Sequence, residues 1–445
     1  MLEKNNPRVV NGWAFYDWAN SVYNLVITSA IFPIYFESQV HHTIKIVDGK
    51  SLKMLNFLGR EFVNTELYSY VFSVSFLVIT ILVPLLSGIA DYMGNKKRFM
   101  QFFCYLGAGA CISLFWFDKD NLGLSLLSPF LASIGFWGSL VFYNSYLPEI
   151  ATPDQQDRVS AKGFAMGYLG SVLLLVTLLF VITNYGGQYT KYGFVAVGLW
   201  WAGFAQITYR RLPNNIHNKK PDMKESYIFK GFQEINKVLG ELFQQKNLAK
   251  FLMAFFVYNM GVQTIMLLAP IFAASEINWP LGADGNPDTS GLIISIIVIQ
   301  LVAIIGAVSM SKLSQKIGNL RVIRIVIVIW IVVCITAYFI TEPSEFYVLA
   351  AMVGFVMGGI QSMSRSTYSK MLPETKDNAS YFSFYDVLEK IGLIIGPFIF
   401  GFVTGQFGGM RNAVIILAIF FVVGFGLMFL VKPHKPSLAG SVDIK

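Results

Sequence analysis

Apolar residues run in long blocks along nearly the whole chain, and a short polar stretch closes each block. A block of about 17–25 residues crosses the roughly 30 Å hydrocarbon core of a bilayer as one helix. Twelve are read, at 12–36, 67–90, 99–117, 122–147, 163–184, 192–209, 250–273, 289–311, 322–341, 346–368, 380–404 and 412–431. Most connections are short, so consecutive helices are antiparallel neighbours. Two are long. Residues 37–66 read as an outer loop of mixed polar character, and residues 210–249 join the two halves. In the second of these, Ile228, Phe229, Phe232, Ile235, Val238, Leu239, Leu242 and Phe243 recur at helical spacing, with Lys230, Glu234, Lys237 and Glu241 opposite. That pattern predicts an amphipathic helix lying on the inner membrane surface, read here as a tether.

The blocks are also a repeat. Leu147-Pro148-Glu149 returns as Leu372-Pro373-Glu374, an offset of 225 from 147 to 372. Gly94-Asn95 returns as Gly318-Asn319, an offset of 224 from 94 to 318. Each copy follows an apolar run, and two unrelated matches at nearly one offset imply a tandem duplication. The expected fold is an all-α membrane protein of twelve transmembrane helices in two pseudo-symmetric six-helix bundles. Residues 1–209 form the first bundle, 210–249 a cytoplasmic linker and 250–445 the second bundle. A duplicated set of spans is the build of a transporter with its site between the repeats.

Composition sharpens this reading. Hydrophobic residues make up 55% and charged residues 13%, about half the charge a soluble domain carries. The net charge of +8 raises the question of nucleic acid. Its distribution answers it: with the N-terminus in the cytoplasm, 26 of the 34 Lys and Arg fall on the inner side. The excess satisfies the positive-inside rule with both termini cytoplasmic, so no nucleic-acid partner is expected. The first block begins near Trp13, holds Asp17 and lacks a small-residue cleavage site, so it stays as a span rather than a signal peptide. Cys104, Cys111 and Cys334 lie within spans, which argues against disulfides. His41, His42, His217 and His434 lie outside them, which argues against an intramembrane haem or zinc site, and no cofactor is expected. Short termini and the lack of long insertions point to a bacterial inner membrane, with a eukaryotic organelle as the alternative, and a monomer is expected.

A polar side chain inside a bilayer is costly unless it faces the bundle interior or water. Span one carries Asp17, Asn20, Ser21, Asn24 and Thr28 at i, i+3, i+4, i+7 and i+11, which places them on one α-helical face. The bland reading of Asp17 is a residue capping the start of a helix that begins only five positions earlier. Span ten carries Gln361, Ser364, Arg365 and Tyr368 at the same spacing, and the competing reading of Arg365 is a snorkelling interfacial arginine. In span eleven, Lys390 sits near the bilayer centre with Asp386 one turn before it and Glu389 adjacent. A plain Asp386–Lys390 pair is the structural alternative to a lysine that binds an anionic group or changes partner during transport. Buried pairs stabilise poorly, which favours function. Ser139, Tyr143 and Asn144 in span four, and Tyr258, Asn259 and Gln263 in span seven, are lesser candidates, each more often a packing residue than a ligand.

These segments carry a family resemblance. LSGIADYMGNKKR (86–98) resembles the loop signature of the major facilitator superfamily after its second span, with Ser87 for the leading glycine and Tyr92 for the basic residue after the acid. More narrowly, FYDWANSVYN (15–24), YNSYLPEIATPDQQDRVSAKGFAMGYLGS (143–171), GGIQSMSRSTYSKMLPE (358–374) and EKIGLIIGPFIFG (389–401) resemble its vacuolar effluxer branch. That branch is related to the autophagy-linked amino-acid exporters of fungal vacuoles. The resemblance implies that Asp91 locks the inner loop against a neighbouring helix end, with Gly94, Lys96, Lys97 and Arg98 beside it. It also implies that Arg158 is the basic residue such an acid can pair with, and that Lys390 is the lysine of the span-eleven motif. In the second-half copy of the loop (KLSQKIGNLR, 312–321), Gln315 stands where the acid would be. Met260 stands where relatives often carry an acid, which speaks against a proton-coupling role for span seven.

The function expected is a permease moving a small solute by alternating access. A zwitterion such as an amino acid would satisfy Lys390 with its carboxylate and Asp17 with its ammonium. Sugars, nucleosides, drug-like cations and peptides are the alternatives, and export rests on the resemblance alone. Proton coupling would require a carboxylate that titrates during the cycle, and Asp17 is the candidate. A membrane-embedded enzyme or scaffold is the reading least favoured, since no span holds a histidine or a paired-carboxylate motif.

Overall fold

The computed structural model describes residues 3–41, 43–47, 50–214, 216, 227–280, 290–407 and 409–433. Linker residues 217–226, position 289 at the start of the eighth span, and His42, His217 and His434 lie outside the described residues. The first helical run consists of α1 (Pro7–Val22), a π-helical segment (Tyr23–Ile31) and α2 (Phe32–Gln39). After a small sheet come α3 (Asn64–Met93), α4 (Lys96–Ser113), α5 (Leu122–Asn144), the single turn α6 (Leu147–Ile150), α7 (Gln156–Tyr185) and α8 (Thr190–Arg211). The linker holds α9 (Tyr227–Gln244). The second half contributes α10 (Lys246–Glu276), α11 (Ser290–Ile317), α12 (Asn319–Phe339), α13 (Pro343–Met371), α14 (Asn378–Phe407) and α15 (Met410–Met428). Among the described residues, ten helices are long and apolar enough to cross a membrane. The run Pro7–Gln39 and α8 supply two more, consistent with the twelve expected.

The two halves repeat one neighbour scheme. In the first, α1 packs on α7 and α8, α4 on α5 and α8, and α3 on α5. In the second, α10 packs on α14 and α15, α12 on α13 and α15, and α11 on α13. Between halves, α7 meets α11 and α13 while α14 meets α3 and α5. The same sequence pattern folded twice buries the same faces twice, so the pseudo-symmetry lies in the packing as well as in the sequence.

Three expectations change. Residues 37–66 are not simply a loop: Thr43–Val47, Lys50–Phe57 and Arg60–Val63 form a three-stranded antiparallel sheet, β1-β2-β3. The β2–β3 hairpin turns on Leu58 and Gly59, both at positive φ (51° and 77°), the backbone of a tight two-residue hairpin. Helical periodicity could not report it, because short strands in a polar surround leave no apolar block. The first span begins at Pro7 rather than 12, with Asn6 as its cap accepting the Arg8 amide at 3.0 Å. Finally, α9 forms but does more than lie on a surface. Gly231, Val238 and Leu242 are buried, and Gly231 packs backbone to backbone on Gly88 of α3, whereas Ile228, Phe229, Phe232 and Phe243 stay exposed for lipid.

The tightest helix pair is α11 with α13. A Cβ at Gly306 would fall 2.0 Å from the Phe355 carbonyl oxygen, one at Gly358 2.0 Å from that of Ala303, and one at Gly354 2.4 Å from that of Ile299. Lipid tails are as apolar as leucine, so close backbone approach at a Gly-x-x-x-Gly face, here 354 and 358, is what drives such helices together. Gly358→Val is expected to destabilise the protein by about 1–3 kcal/mol, the range for overpacking. Gly203→Ala, at an α8 position with nothing within 4 Å, is expected to stabilise by up to about 1 kcal/mol through helix propensity. Thermal unfolding in detergent reads both, and an unchanged midpoint for Gly358→Val would rule out the close approach.

Candidate functional site

Asp17 lies ten positions into α1, about 15 Å from its start at 1.5 Å per residue. It is 5% exposed, so it does not cap the helix end. Its partner is Arg365, which is 3% exposed and therefore does not snorkel. The guanidinium Nη2 reaches Asp17 Oδ2 at 3.2 Å and Nη1 reaches it at 3.3 Å. The remaining donors are also used: Nη1 to Asn144 Oδ1 at 3.2 Å, Nε to Ser160 Oγ at 3.0 Å and Nη2 to the Ser160 carbonyl at 2.9 Å. Tyr143 donates its hydroxyl to the same Asp17 oxygen at 2.7 Å. The cation lies 4.1 Å from the Phe164 ring centre and 4.8 Å from that of Trp13. Gly163 makes the cluster fit: a Cβ there would sit 2.3 Å from Asp17 Oδ2 and 3.0 Å from both Arg365 Nη2 and Tyr143 Oη. A first-half acid and a second-half base thus close the bundle near its middle.

The stripe predicted on span one differs in burial along its length. Asn20 is buried and Ser21 half-buried, but Asn24 is exposed. From Tyr23 the span is π-helical, wound wider than an α-helix. Ser29 donates to the Asn24 carbonyl five residues back, at 3.0 Å.

A second charged layer sits on α14. Lys390 is 0% and Asp386 3% exposed, and they form an ion pair one turn apart. The ammonium lies 4.7 Å from the ring centre of Trp137 on α5, so it faces the first half rather than lipid. Glu389 accepts the Gln263 amide at 2.8 Å, and Gln263 lies one turn after buried Asn259 on α10. Tyr258 shares a 2.7 Å hydrogen bond with Ser364, and Tyr168 donates to Gln361 at 2.6 Å across the halves. An apolar cavity of about 550 Å³, counting open space at its mouth, lies within the second half among Leu268, Phe272, Val333, Leu349 and Phe400 and touches none of these charges.

The end of the bundle that carries both chain ends is closed by two further contacts. Asp91 Oδ1 and Oδ2 accept the Ala379 and Ser380 amides at 3.3 and 2.6 Å, placing a carboxylate on the N-terminus of α14. Gly94 ends α3 in the left-handed region at φ 65°. Lys96 pairs with Glu149 at 2.5 Å, and Glu149 accepts Asn378 at 2.9 Å. Lys97 donates to the Leu212 carbonyl at 2.8 Å. Arg98 and Arg158 are exposed and make no ion pair among the described residues. Arg158 therefore does not take the role that the resemblance implied. Its neighbour does the corresponding work: Asp157, buried, accepts Ser314 at 2.8 Å, Asn319 at 2.7 Å and Lys370 at 2.6 Å. One residue rotates about 100° around a helix, so adjacent positions cannot share that face. The linker adds Lys237 to Asp377 at 2.9 Å and Tyr381 to Glu241 at 2.8 Å. Burial, with Asp377 beside it, holds the Glu234 carboxyl above its ordinary range.

Sequence reasoning passed over Asp157, Glu149, Ser160, Gly163, Tyr168 and Trp137. Only the glycine spacing 163, 167, 170, facing Asp17, Ser21 and Trp18, was there to be read. Among the described residues, hydrogen bonds between the halves run from mid-bundle to the terminus-bearing end. At the sheet-bearing end, Arg411 bonds Glu276 and Tyr338 of its own half, and His41 meets Asp120 of its own. The structure is closed at the terminus end.

Two pseudo-symmetric six-helix bundles that close on paired charges define a membrane transporter of the major facilitator type. The chain belongs to the family described as vacuole effluxer Atg22-like, whose pattern matches residues 5–438. It is 29% identical to the MFS-type transporter YxiO of Bacillus subtilis (strain 168), over 98% of this chain and 97% of that one. It is 26% identical to autophagy-related protein 22 of Kluyveromyces lactis, over 94% and 92%. In fold it resembles the human organic anion transporter MFSD10, with a TM-score of 0.73 at 10% identity over 96% and 100% of the chains. It also resembles the transporter FucP in its outward conformation, with a TM-score of 0.66 at 14% identity over 97% and 99%. Family and fold are those of transporters rather than enzymes.

Asp157→Ala strips Lys370 of its carboxylate and is expected to destabilise the closed end by about 1–3 kcal/mol, between the exposed and buried pair ranges. Spin labels at the exposed positions Arg158 and Lys312, one in each half, report the opening. A longer distance should gain population in the variant, and an unchanged distance distribution would remove Asp157 from the lock.

Proposed function

We propose that the chain moves a small zwitterion, an amino acid being the simplest, by alternating access between residues 1–209 and 250–445. The carrying observation is the Asp17–Arg365 pair, which is buried, joins the two halves and must part when the terminus end opens. Truncating one member of such a pair costs about 3–5 kcal/mol, so its members act as a switch rather than as passive packing. Asn20, Ser21, Tyr143, Asn144, Asn259, Gln263 and Gln361 line the path around it. Lys390 offers the solute's carboxylate a cation, with Asp386 holding that cation until the solute arrives. Asp91, Gly94, Lys96 and Lys97 form the gate at the terminus end. The lysine and arginine excess supports a cytoplasmic side for that end and both termini, and the membrane proposed is a bacterial inner one. Export follows the effluxer family, and Asp17 is the carboxylate to test for proton coupling.

The test is counterflow in proteoliposomes with labelled amino acids, run beside sugars, nucleosides, amines and carboxylates. Wild type should move at least one amino acid, and Lys390→Ala and Asp17→Asn should each lower its rate at least tenfold. Movement of sugars or nucleosides alone would overturn the substrate class. Undiminished transport by both variants would overturn the site.

A further inference from the structure

We infer that Glu389 receives the solute's positive charge, with Gln263 positioning it and Asn259 offering the adjacent donor. This rests on the zwitterion reading and assigns the ammonium to a different carboxylate from Asp17. Asp17, Arg365, Asp386 and Lys390 are each ion-paired and at most 5% exposed. Asp17 Oδ2 already accepts Tyr143 and both Arg365 Nη atoms. A solute reaching that oxygen would have to displace a guanidinium first.

Glu389 differs on both counts. It is part-exposed, unlike the four paired groups. Its one hydrogen bond among the described residues comes from the neutral Gln263 amide, at 2.8 Å, and no cation is ion-paired with it. Lys390, its sequence neighbour, points to Asp386 and Trp137 instead. Lys390 and Arg365 act on Glu389 only at a distance, so most of its lone pairs lack a direct partner. An alkylammonium supplies what is missing.

Asn259 makes the site two-signed. It is 5% exposed, and its Nδ2 has no acceptor, while Gln263 lies 3.5 Å from its Oδ1. An unsatisfied buried donor beside an acid with no ion-paired cation fits a group bearing both acceptor and cation, as an amino acid does. The specificity that follows is for the amine: a deaminated acid would leave Glu389 unpaired.

Carbodiimide labelling of the full-length protein in liposomes, mapped by mass spectrometry, tests this whichever solute the protein carries. Glu389 should label at least fivefold more than Asp17 or Asp386. Trimethylammonium and N,N-dimethylglycine, whose tertiary nitrogens form no amide with the activated carboxyl, should suppress that labelling at least threefold, and acetate should not. Equal labelling of the three acids, or no protection by the amines, overturns the inference. In transport, Glu389→Gln should lose at least tenfold in kcat/KM for the amino acid and lose preference over its deaminated analogue. Glu389→Asp should recover part of both. If wild type moves amino acids and Glu389→Gln keeps its amine preference, the inference fails while the transport reading stands. If wild type moves none, the transport reading fails and the labelling alone decides Glu389.

Discussion

The bundle depends on the ion pair between Asp17 and Arg365. A charge in a bilayer interior is tolerable only with a partner or with water, and here each supplies the other across the line between the halves. The rest of the local sequence serves that contact. Tyr143, Asn144 and Ser160 use the remaining lone pairs and donors, Phe164 and Trp13 flank the cation, and Gly163 leaves the space. Because the pair spans the halves, its formation and the closure of the terminus end are one event.

Outside this centre, the duplication preserved geometry and moved chemistry. In the first half, the last turn of α3 carries the acid, and Asp91 caps the incoming helix α14. In the second half, the corresponding position is Gln315, and the acid sits on the incoming helix instead, as Asp157 of α7 accepting Ser314 and Asn319. Both contacts tie a helix-to-helix corner of one half (α3–α4 or α11–α12) to a helix of the other, so the two-fold plan survives. Their release differs, because one is a carboxylate on a helix N-terminus and the other a carboxylate with a lysine, Lys370.

The second charged layer concentrates three ionisable groups within five residues of α14. Asp386 and Lys390 share a helical face and neutralise each other, whereas Glu389 turns toward Gln263 of α10. The apolar cavity lies elsewhere, inside the second half. The polar line follows the boundary between bundles at Asp17–Arg365 and Lys390–Trp137 and extends into the second half at Glu389–Gln263.

Hydrophobic blocks, charge asymmetry and the repeated tripeptide determined the class, the span number and the two-fold plan, because bilayer thickness and the cost of charge act on the chain locally. Intramembrane polar residues marked themselves for the same reason, and Asp17, Arg365 and Lys390 were visible as outliers before any fold existed. Which charges would meet was decided only by tertiary structure. Arg365 and Asp17 are 348 positions apart and no periodicity links them. Asp157 rather than Arg158 turned inward because helix phase, set by packing, selects one of two neighbours. The strands at 43–63 paired through contacts between segments that carry no apolar block. Local solvent cost is written residue by residue, while pairing depends on where the folded backbone brings distant segments together.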